Sequence, residues 1–247
     1  NDTSGAFIRG APVVYRRRED RNGMADFHQQ EPITTLHRLT DEANTEALSF
    51  VSQTSVGNRV ALVLPCLISE LDGSALPEMV TQISNLGWLG RVIVGVDGAD
   101  ADSFRAAHTL FSSLPQPTTV IWNDSEDMQS FDHEIGVSLG TGKGRNLWRC
   151  FGAVAGCEDI DTVVVHDADI STYEPAFVAR LAHPIVDDRM GFDFVKGFYP
   201  RFDQHGLNGR VTRLLVGPLL DSLASAEPNH PSLRYLQSFR YPLAGEF

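Results

Sequence analysis

From residue 60 onward, short apolar runs alternate with amphipathic stretches of helical period. Val60-Ala61-Leu62-Val63-Leu64-Pro65 predicts a short buried strand with a proline at its end. Asp72-Gly73-Ser74 predicts a turn and a helix start, and Leu76, Met79, Val80, Ile83 and Leu86 then fall on one helical stripe that Gly90 closes. Arg91-Val92-Ile93-Val94-Gly95-Val96-Asp97 predicts a second strand, ended by Asp97-Gly98. A second helix carries Phe104, Ala107, Leu110 and Phe111, and Thr118–Trp122 predicts a third strand. After a loop, residues 145–156 predict a helix with Leu147, Phe151, Val154 and Ala155 facing inward. Asp161–His166 predicts a fourth strand.

Strands that alternate with helices of this length imply βαβ units and a mostly parallel sheet covered on both faces. Ligands bind such sheets beyond the carboxyl ends of the strands. Pro65, Asp97 and Asp167 each end a strand and so fall on one rim. Beyond residue 170 the pattern changes. Residues 174–182 predict a helix, residues 191–199 an aromatic-rich strand, and residues 209–225 an amphipathic helix with a kink near Pro218. Three regions result: an N-terminal arm and helix (1–58), a ligand-binding α/β half (59–170), and a second half of the same domain (171–247).

Charge narrows the partners. The chain has 247 residues and a net charge of −12, which disfavours nucleic acid and anionic membrane surfaces. No run of about 18 apolar residues exists to cross a membrane, and no signal-peptide pattern opens the chain. Three cysteines do not make a disulfide framework, so a reducing, cytoplasmic setting is expected. Of the 20 basic residues 18 are Arg, and the two Lys, Lys143 and Lys196, both fall in segments with candidate chemistry.

The strongest of these segments is Val163-Val164-Val165-His166-Asp167-Ala168-Asp169-Ile170. Two carboxylates one residue apart at a strand end can converge on a hard cation, Mg²⁺ or Mn²⁺, which takes oxygen ligands and keeps places for phosphates. An Asp-rich turn capping the next helix is the plainer account of the same residues. Gly140-Thr141-Gly142-Lys143-Gly144-Arg145-Asn146 opens a helix, where free N–H groups and a lysine attract phosphate; its spacing is not that of a Walker A loop. Asn208-Gly209-Arg210-Val211-Thr212-Arg213 offers a similar anion receptor at a helix start. Lys196 lies among aromatics on the last predicted strand, where a site residue and a snorkelling edge lysine look alike. Cys66, beside Pro65, fits a small core thiol better than a nucleophile.

Taken in order, these segments resemble a GT-A glycosyltransferase. Gly142-Lys143-Gly144 with Leu147-Trp148, Asp167-Ala168-Asp169, Phe194–Tyr199, Gly209-Arg210-Val211-Thr212 with Pro218-Leu219-Leu220, and Pro242-Leu243-Ala244-Gly245-Glu246 resemble the glucosyl-3-phosphoglycerate and mannosyl-3-phosphoglycerate synthase family over roughly residues 60–247. The resemblance implies a Rossmann-like GT-A fold and retaining transfer of glucose or mannose from a UDP- or GDP-sugar to 3-phosphoglycerate. It implies a divalent cation held by Asp167 and Asp169. It further implies Pro65, Glu70, Asp97, Lys143 and Asp167 at the donor, Gly209, Arg210, Val211 and Thr212 at the acceptor, and Glu246 near the donor sugar beside the catalytic Asp167 and Asp169. A homodimer is a further expectation. Where the family has Pro-x-x-Asn-Glu, this chain has Pro65-Cys66-Leu67-Ile68-Ser69-Glu70, one residue longer and without the Asn, which bears on the donor base. Family members also continue past the position of Phe247, and a histidine there ligates the metal.

Two other readings use the same residues. A haloacid dehalogenase-type phosphatase would take Asp167 and Asp169 as nucleophile and acid, with Ser171 nearby, but that motif normally opens its domain. A nucleotide-sugar-binding protein without catalysis is the other.

Overall fold

The computed structural model describes residues 40–53, 59–197, 202–203, 206–207, 211–238 and 245–247. Four strands make one parallel sheet: β1 (Val60–Leu67), β2 (Arg91–Asp97), β3 (Thr118–Trp122) and β4 (Thr162–Val165), in the order β3-β2-β1-β4. The chain winds outward from β1 through β2 to β3 and then returns to the far side of β1. The order therefore reverses between β1 and β4, and a crevice opens beyond their carboxyl ends.

Strand alternation distributes the core over two faces. Val60, Leu62, Leu64 and Cys66 of β1 share one cluster with Val92, Val94 and Val96 of β2, with α2 (Ala75–Ser84), and with Ala107 and Phe111 of α3 (Ala101–Phe111). Val51 of α1 (Glu42–Gln53) and Val178 of α6 (Pro175–Val186) belong to the same cluster, so α1 is part of this core. Ala61, Val63, Ile93 and Val165 face the other way, onto Cys150 and Val154 of α5 (Lys143–Ala155). Each fully buried Val or Leu contributes about 1.5–3 kcal/mol. Helices on both faces are thus the consequence of strands that are apolar on both sides.

Pro65 does not end β1, which runs on to Leu67 and pairs residue by residue with β2 as far as Asp97. β4 stops opposite Val63, so the proline lies where β1 has a single neighbour, a position that tolerates a missing donor. A 3₁₀ turn over Ile68–Asp72 follows. The expected loop after β3 contains α4 (Glu126–Glu134), which buries no residue and starts on a Ser125 hydroxyl that accepts the Met128 N–H. A polar helix held by its cap carries no apolar stripe to reveal it.

On α5 the inward face differs in part from the expected one: Leu147 and Val154 do pack on the core, but polar residues join them. The structure buries Asn146, Arg149, Cys150 and Val154, while Phe151 and Ala155 are exposed. The reason is polar pairing: Asn146 Nδ2 donates to the Gly95 carbonyl at 2.8 Å, and Arg149 donates to the Asn123 carbonyl and to Asp132. This brings α5 so close to β2 that a Cβ on Gly95 would lie 1.9 Å from Asn146 Oδ1 and 2.8 Å from Cys150 Sγ. Gly95→Ala should therefore destabilise the fold by about 1–3 kcal/mol or more, the cost of overpacking. Urea unfolding measures it, and an unchanged midpoint would contradict this packing.

Residues 191–197 form no strand, and 198–201 lie outside the described residues, as do 1–39 with their Arg-rich run. β5 (Phe202–Asp203) and β6 (Gly206–Leu207) pair antiparallel. The helix expected over 209–225 is described from Val211. Thr212–Val216 form a π-helical turn in which the Gly217 N–H donates to the Thr212 carbonyl, and α7 (Gly217–Ala226) continues from it. Pro218 has no N–H to offer, and the widened turn immediately before it absorbs the lost bond. α8 (Pro231–Ser238) follows. The tail returns to the sheet: the Phe247 backbone bonds Val165 in both directions, and the Glu246 carbonyl accepts from the Gly197 N–H at 2.9 Å. Among the described residues no helix is long and apolar enough to cross a membrane.

Candidate functional site

The crevice at the strand-order reversal holds a cavity of about 530 Å³. Its walls come from five places: Pro65, Cys66, Leu67 and Glu70 at the end of β1, Asp97 and Gly98 at the end of β2, Asp124 after β3, Thr141, Gly142, Lys143, Arg145 and Asn146 around the start of α5, and Asp167, Ala168 and Asp169 after β4. Pro65, Glu70, Asp97, Lys143, Asp167 and Asp169, each expected at the donor or metal, all line this one cavity.

The start of α5 is built for close approach. Gly142 caps it at φ 115°, a conformation open to glycine. The first helical residue is Lys143, whose ammonium pairs with Asp167. One turn of backbone thus presents free N–H groups and a full positive charge at the cavity wall.

Arg145, two residues on, points the other way. Its Nη2 bonds Asp97 Oδ1 at 2.5 Å and Asp124 Oδ1 at 2.8 Å, and its side chain is 11% exposed. Asp124 Oδ2 accepts from the Gly98 and Ala99 N–H groups at 2.6 and 3.2 Å. One guanidinium therefore ties the ends of β2 and β3 to α5 and neutralises two carboxylates. Asp97 was legible as a strand-end acid and Arg145 as part of the glycine-rich helix opening, but their pairing was not, and Asp124 was not singled out. Asp124 follows β3 by two residues, as Asp167 follows β4, so the strand-end rule would have found it.

Asp167 is half-buried and Asp169 exposed. Glu70 completes the acidic side: burial raises its pKa, and the charges of Asp169 and Asp167 raise it further. Burial, followed by the Glu70 charge, pushes the Cys66 thiol up, so Cys66 is a core thiol. His166, directly before the acidic pair, is fully buried beside the Tyr173 hydroxyl at 3.1 Å, and burial lowers its pKa to about 3. It is a neutral core residue.

Among the described residues no three His, Cys, Asp or Glu side chains form a metal-binding group. Asp167 and Asp169 still suit Mg²⁺ or Mn²⁺, because such ions bind through one or two carboxylates and take the rest of their oxygens from phosphates and water. The ammonium already resting on Asp167 shows that this point accepts a cation.

The acceptor segment stands apart in what can be described. Gly209 and Arg210 lie outside the described residues; Val211 is exposed, Thr212 is buried, and neither lines the cavity. Glu246 is 7% exposed, and its Oε2 has no hydrogen-bond partner among the described residues. Its neighbour Gly245 is pressed against the site: a Cβ there would lie 2.4–2.5 Å from both Asp167 carboxylate oxygens and from Lys143 Nζ. Lys196 is half-buried; burial lowers its pKa, and it sits 5.4 Å from the centre of the Phe247 ring.

No protein-family model matches the chain. It is 34% identical over 229 residues to a glucosyl-3-phosphoglycerate synthase of Persephonella marina, an alignment that takes in 91% of this chain and 56% of the relative. A second glucosyl-3-phosphoglycerate synthase, from Methanococcoides burtonii, is 33% identical over 229 residues, covering 90% and 55%. Among solved structures, glucosyl-3-phosphoglycerate synthase of Mycobacterium tuberculosis in complex with Mn²⁺, uridine-diphosphate-glucose and phosphoglyceric acid superposes with a TM-score of 0.53 at 27% identity, over 81% of this chain and 58% of that one. The phosphatase order does not fit, because β1, β2 and β3 all precede the acidic pair. The chain spans a little over half the length of the curated relatives it matches, and across that span it has the α/β fold of the GT-A glycosyltransferases and is a sequence relative of the glucosyl-3-phosphoglycerate synthases.

Proposed function

We propose that this chain binds a nucleoside diphosphate sugar and transfers its hexose, glucose in the first instance, to 3-phosphoglycerate with retention at the anomeric carbon. The observation that carries the reading is the meeting of Asp167, Asp169, Lys143 and Glu70 in one cavity at the strand-order reversal, in a chain similar to synthases of this product. The reading takes UDP-glucose as donor, after the complex in the related mycobacterial structure. A GDP-sugar or a mannosyl donor is the alternative, and a homodimer belongs to the same proposal.

In this reading Pro65 and Glu70 border the nucleoside, and Asp97, held by Arg145, lines the same cavity on the donor side. Lys143 and the α5 N-terminus take the diphosphate. Mg²⁺ or Mn²⁺ on Asp167 and Asp169 would offset charge on the departing diphosphate. The acceptor hydroxyl adds to the anomeric carbon on the face the diphosphate leaves, and its proton passes to the diphosphate oxygen. Glu246 is assigned a place near the donor sugar, consistent with a buried carboxylate oxygen that has no hydrogen-bond partner among the described residues. Gly209, Arg210, Val211 and Thr212 are assigned to the acceptor's phosphate and carboxylate.

A donor and acceptor screen that follows nucleoside diphosphate release tests the reaction, and the anomeric proton coupling of the product reports retention. Release that needs no acceptor, or phosphatase activity on a generic phosphoester, would overturn it. Arg210→Ala should weaken 3-phosphoglycerate by about 2–4 kcal/mol in kcat/KM while sparing nucleotide affinity, because a bidentate guanidinium contact is lost. Arg210→Lys should recover only part, since a point charge does not reproduce the fork. Calorimetry with each ligand separately decides it; equal losses for both would place the acceptor elsewhere.

A further inference from the structure

Lys143 and the cation share a ligand. The ammonium pairs with Asp167, and the Gly245 backbone covers that pair so tightly that even one carbon added there would touch Asp167 Oδ1, Oδ2 and Lys143 Nζ. The tail is fixed in that position by the Phe247–Val165 and Glu246–Gly197 backbone bonds. A second cation on the same carboxylate therefore meets a like charge on an oxygen already taken by Lys143, and the Gly245 backbone leaves no room for both cations at once. Lys143 is also the part of this arrangement that is free to leave, since its side chain is 44% exposed at the first position of α5, with the cavity beside it.

From this geometry we infer that Lys143 is a resident counter-cation that holds the metal position closed until a diphosphate draws it off Asp167. The diphosphate offers the ammonium a second anion at the α5 N-terminus, where helix N–H groups already favour phosphate. As the lysine swings to it, Asp167 becomes available beside Asp169. Metal and nucleotide then bind with positive coupling, and each raises the affinity for the other by the same factor. Lys143 is thus a positioning residue that acts through Asp167. The inference rests on the donor reading only for what attracts the lysine; the competition at Asp167 stands without it.

The test is Mn²⁺ binding to the whole chain, followed by the paramagnetic resonance signal of free Mn²⁺, with no nucleotide present. Lys143→Met should bind Mn²⁺ about 10- to 100-fold more tightly than the unaltered protein, the scale expected on removing a unit charge a few ångströms from a divalent ion near a protein surface. Lys143→Arg, which keeps the charge, should stay within about threefold of the unaltered protein, a difference of about 0.65 kcal/mol by the gas-constant conversion. Asp167→Asn in the Lys143→Met background should cancel the gain. Equal or weaker Mn²⁺ binding by Lys143→Met, or a gain that survives Asp167→Asn, would overturn the inference. A separate titration with uridine diphosphate in saturating Mg²⁺ reads the donor assignment: Lys143→Met should weaken it. Unchanged diphosphate affinity beside tighter Mn²⁺ binding would sink the donor role of Lys143 and leave the competition at Asp167 intact.

Discussion

Asp169→Ala is expected to lower transfer by about 1000-fold or more while leaving the unfolding midpoint within about 0.5 kcal/mol. The two halves of that expectation have different causes. Asp169 is exposed and no hydrogen bond or ion pair ties it to the rest of the chain among the described residues, so its removal disturbs no packing. Its work is with the charge that develops on the departing diphosphate, where metal assistance supplies several kcal/mol and each 1.4 kcal/mol is about tenfold in rate. Steady-state kinetics with the donor that the screen identifies, beside urea unfolding of the same variant, measures both. Full activity of the variant, or of the unaltered protein in excess chelator, would remove the metal-assisted glycosyl transfer proposed above.

The second large effect belongs to Arg145. Arg145→Met should cost about 3 kcal/mol of stability and also weaken nucleotide binding. Asp97 is 7% exposed, and Arg145 is the cation that neutralises it. Removing one partner of a buried pair leaves the other charge desolvated and uncompensated, which costs more than the pair itself contributes. The same change releases Asp124, so the ends of β2 and β3 lose their common tie and the cavity gains negative charge where a nucleotide diphosphate must approach. The diagnostic is the double variant: Asp97→Asn on Arg145→Met should return most of the lost stability, because the penalty resides in the stranded charge. Additive losses in that cycle would show that Arg145 acts through its packing instead.

The relation of sequence to site is clearest at α5. Its start was legible to within two residues: the glycine-rich run with Lys143 reads as a helix opening, and the helix expected over 145–156 runs Lys143–Ala155. Its buried face was legible only in part: Val154 and Leu147 turn to the core as expected, while Phe151 and Ala155 do not. Apolar periodicity selected Leu147, Phe151, Val154 and Ala155, whereas Asn146 and Arg149 go inward because β2, the end of β3 and α4 present carbonyls and a carboxylate to them. Those partners lie 51, 26 and 17 positions away in the chain, and no local pattern encodes them.

By itself the sequence determined the alternation of strands and helices, the parallel sheet, and the strand-end placement of Asp97 and Asp167. These follow from residue-level periodicity and from backbone geometry, which act over a few residues. It also carried the ordered motifs by which the synthase resemblance was legible. Tertiary structure decided what the motifs do to one another: that Arg145 joins Asp97 to Asp124, that Lys143 occupies Asp167, and that the tail returns along β4 to set Gly245 against that pair. Each is a contact between charges or backbones brought together by the sheet order. Coulomb attraction and steric exclusion depend on distance in space, and the fold alone sets that distance.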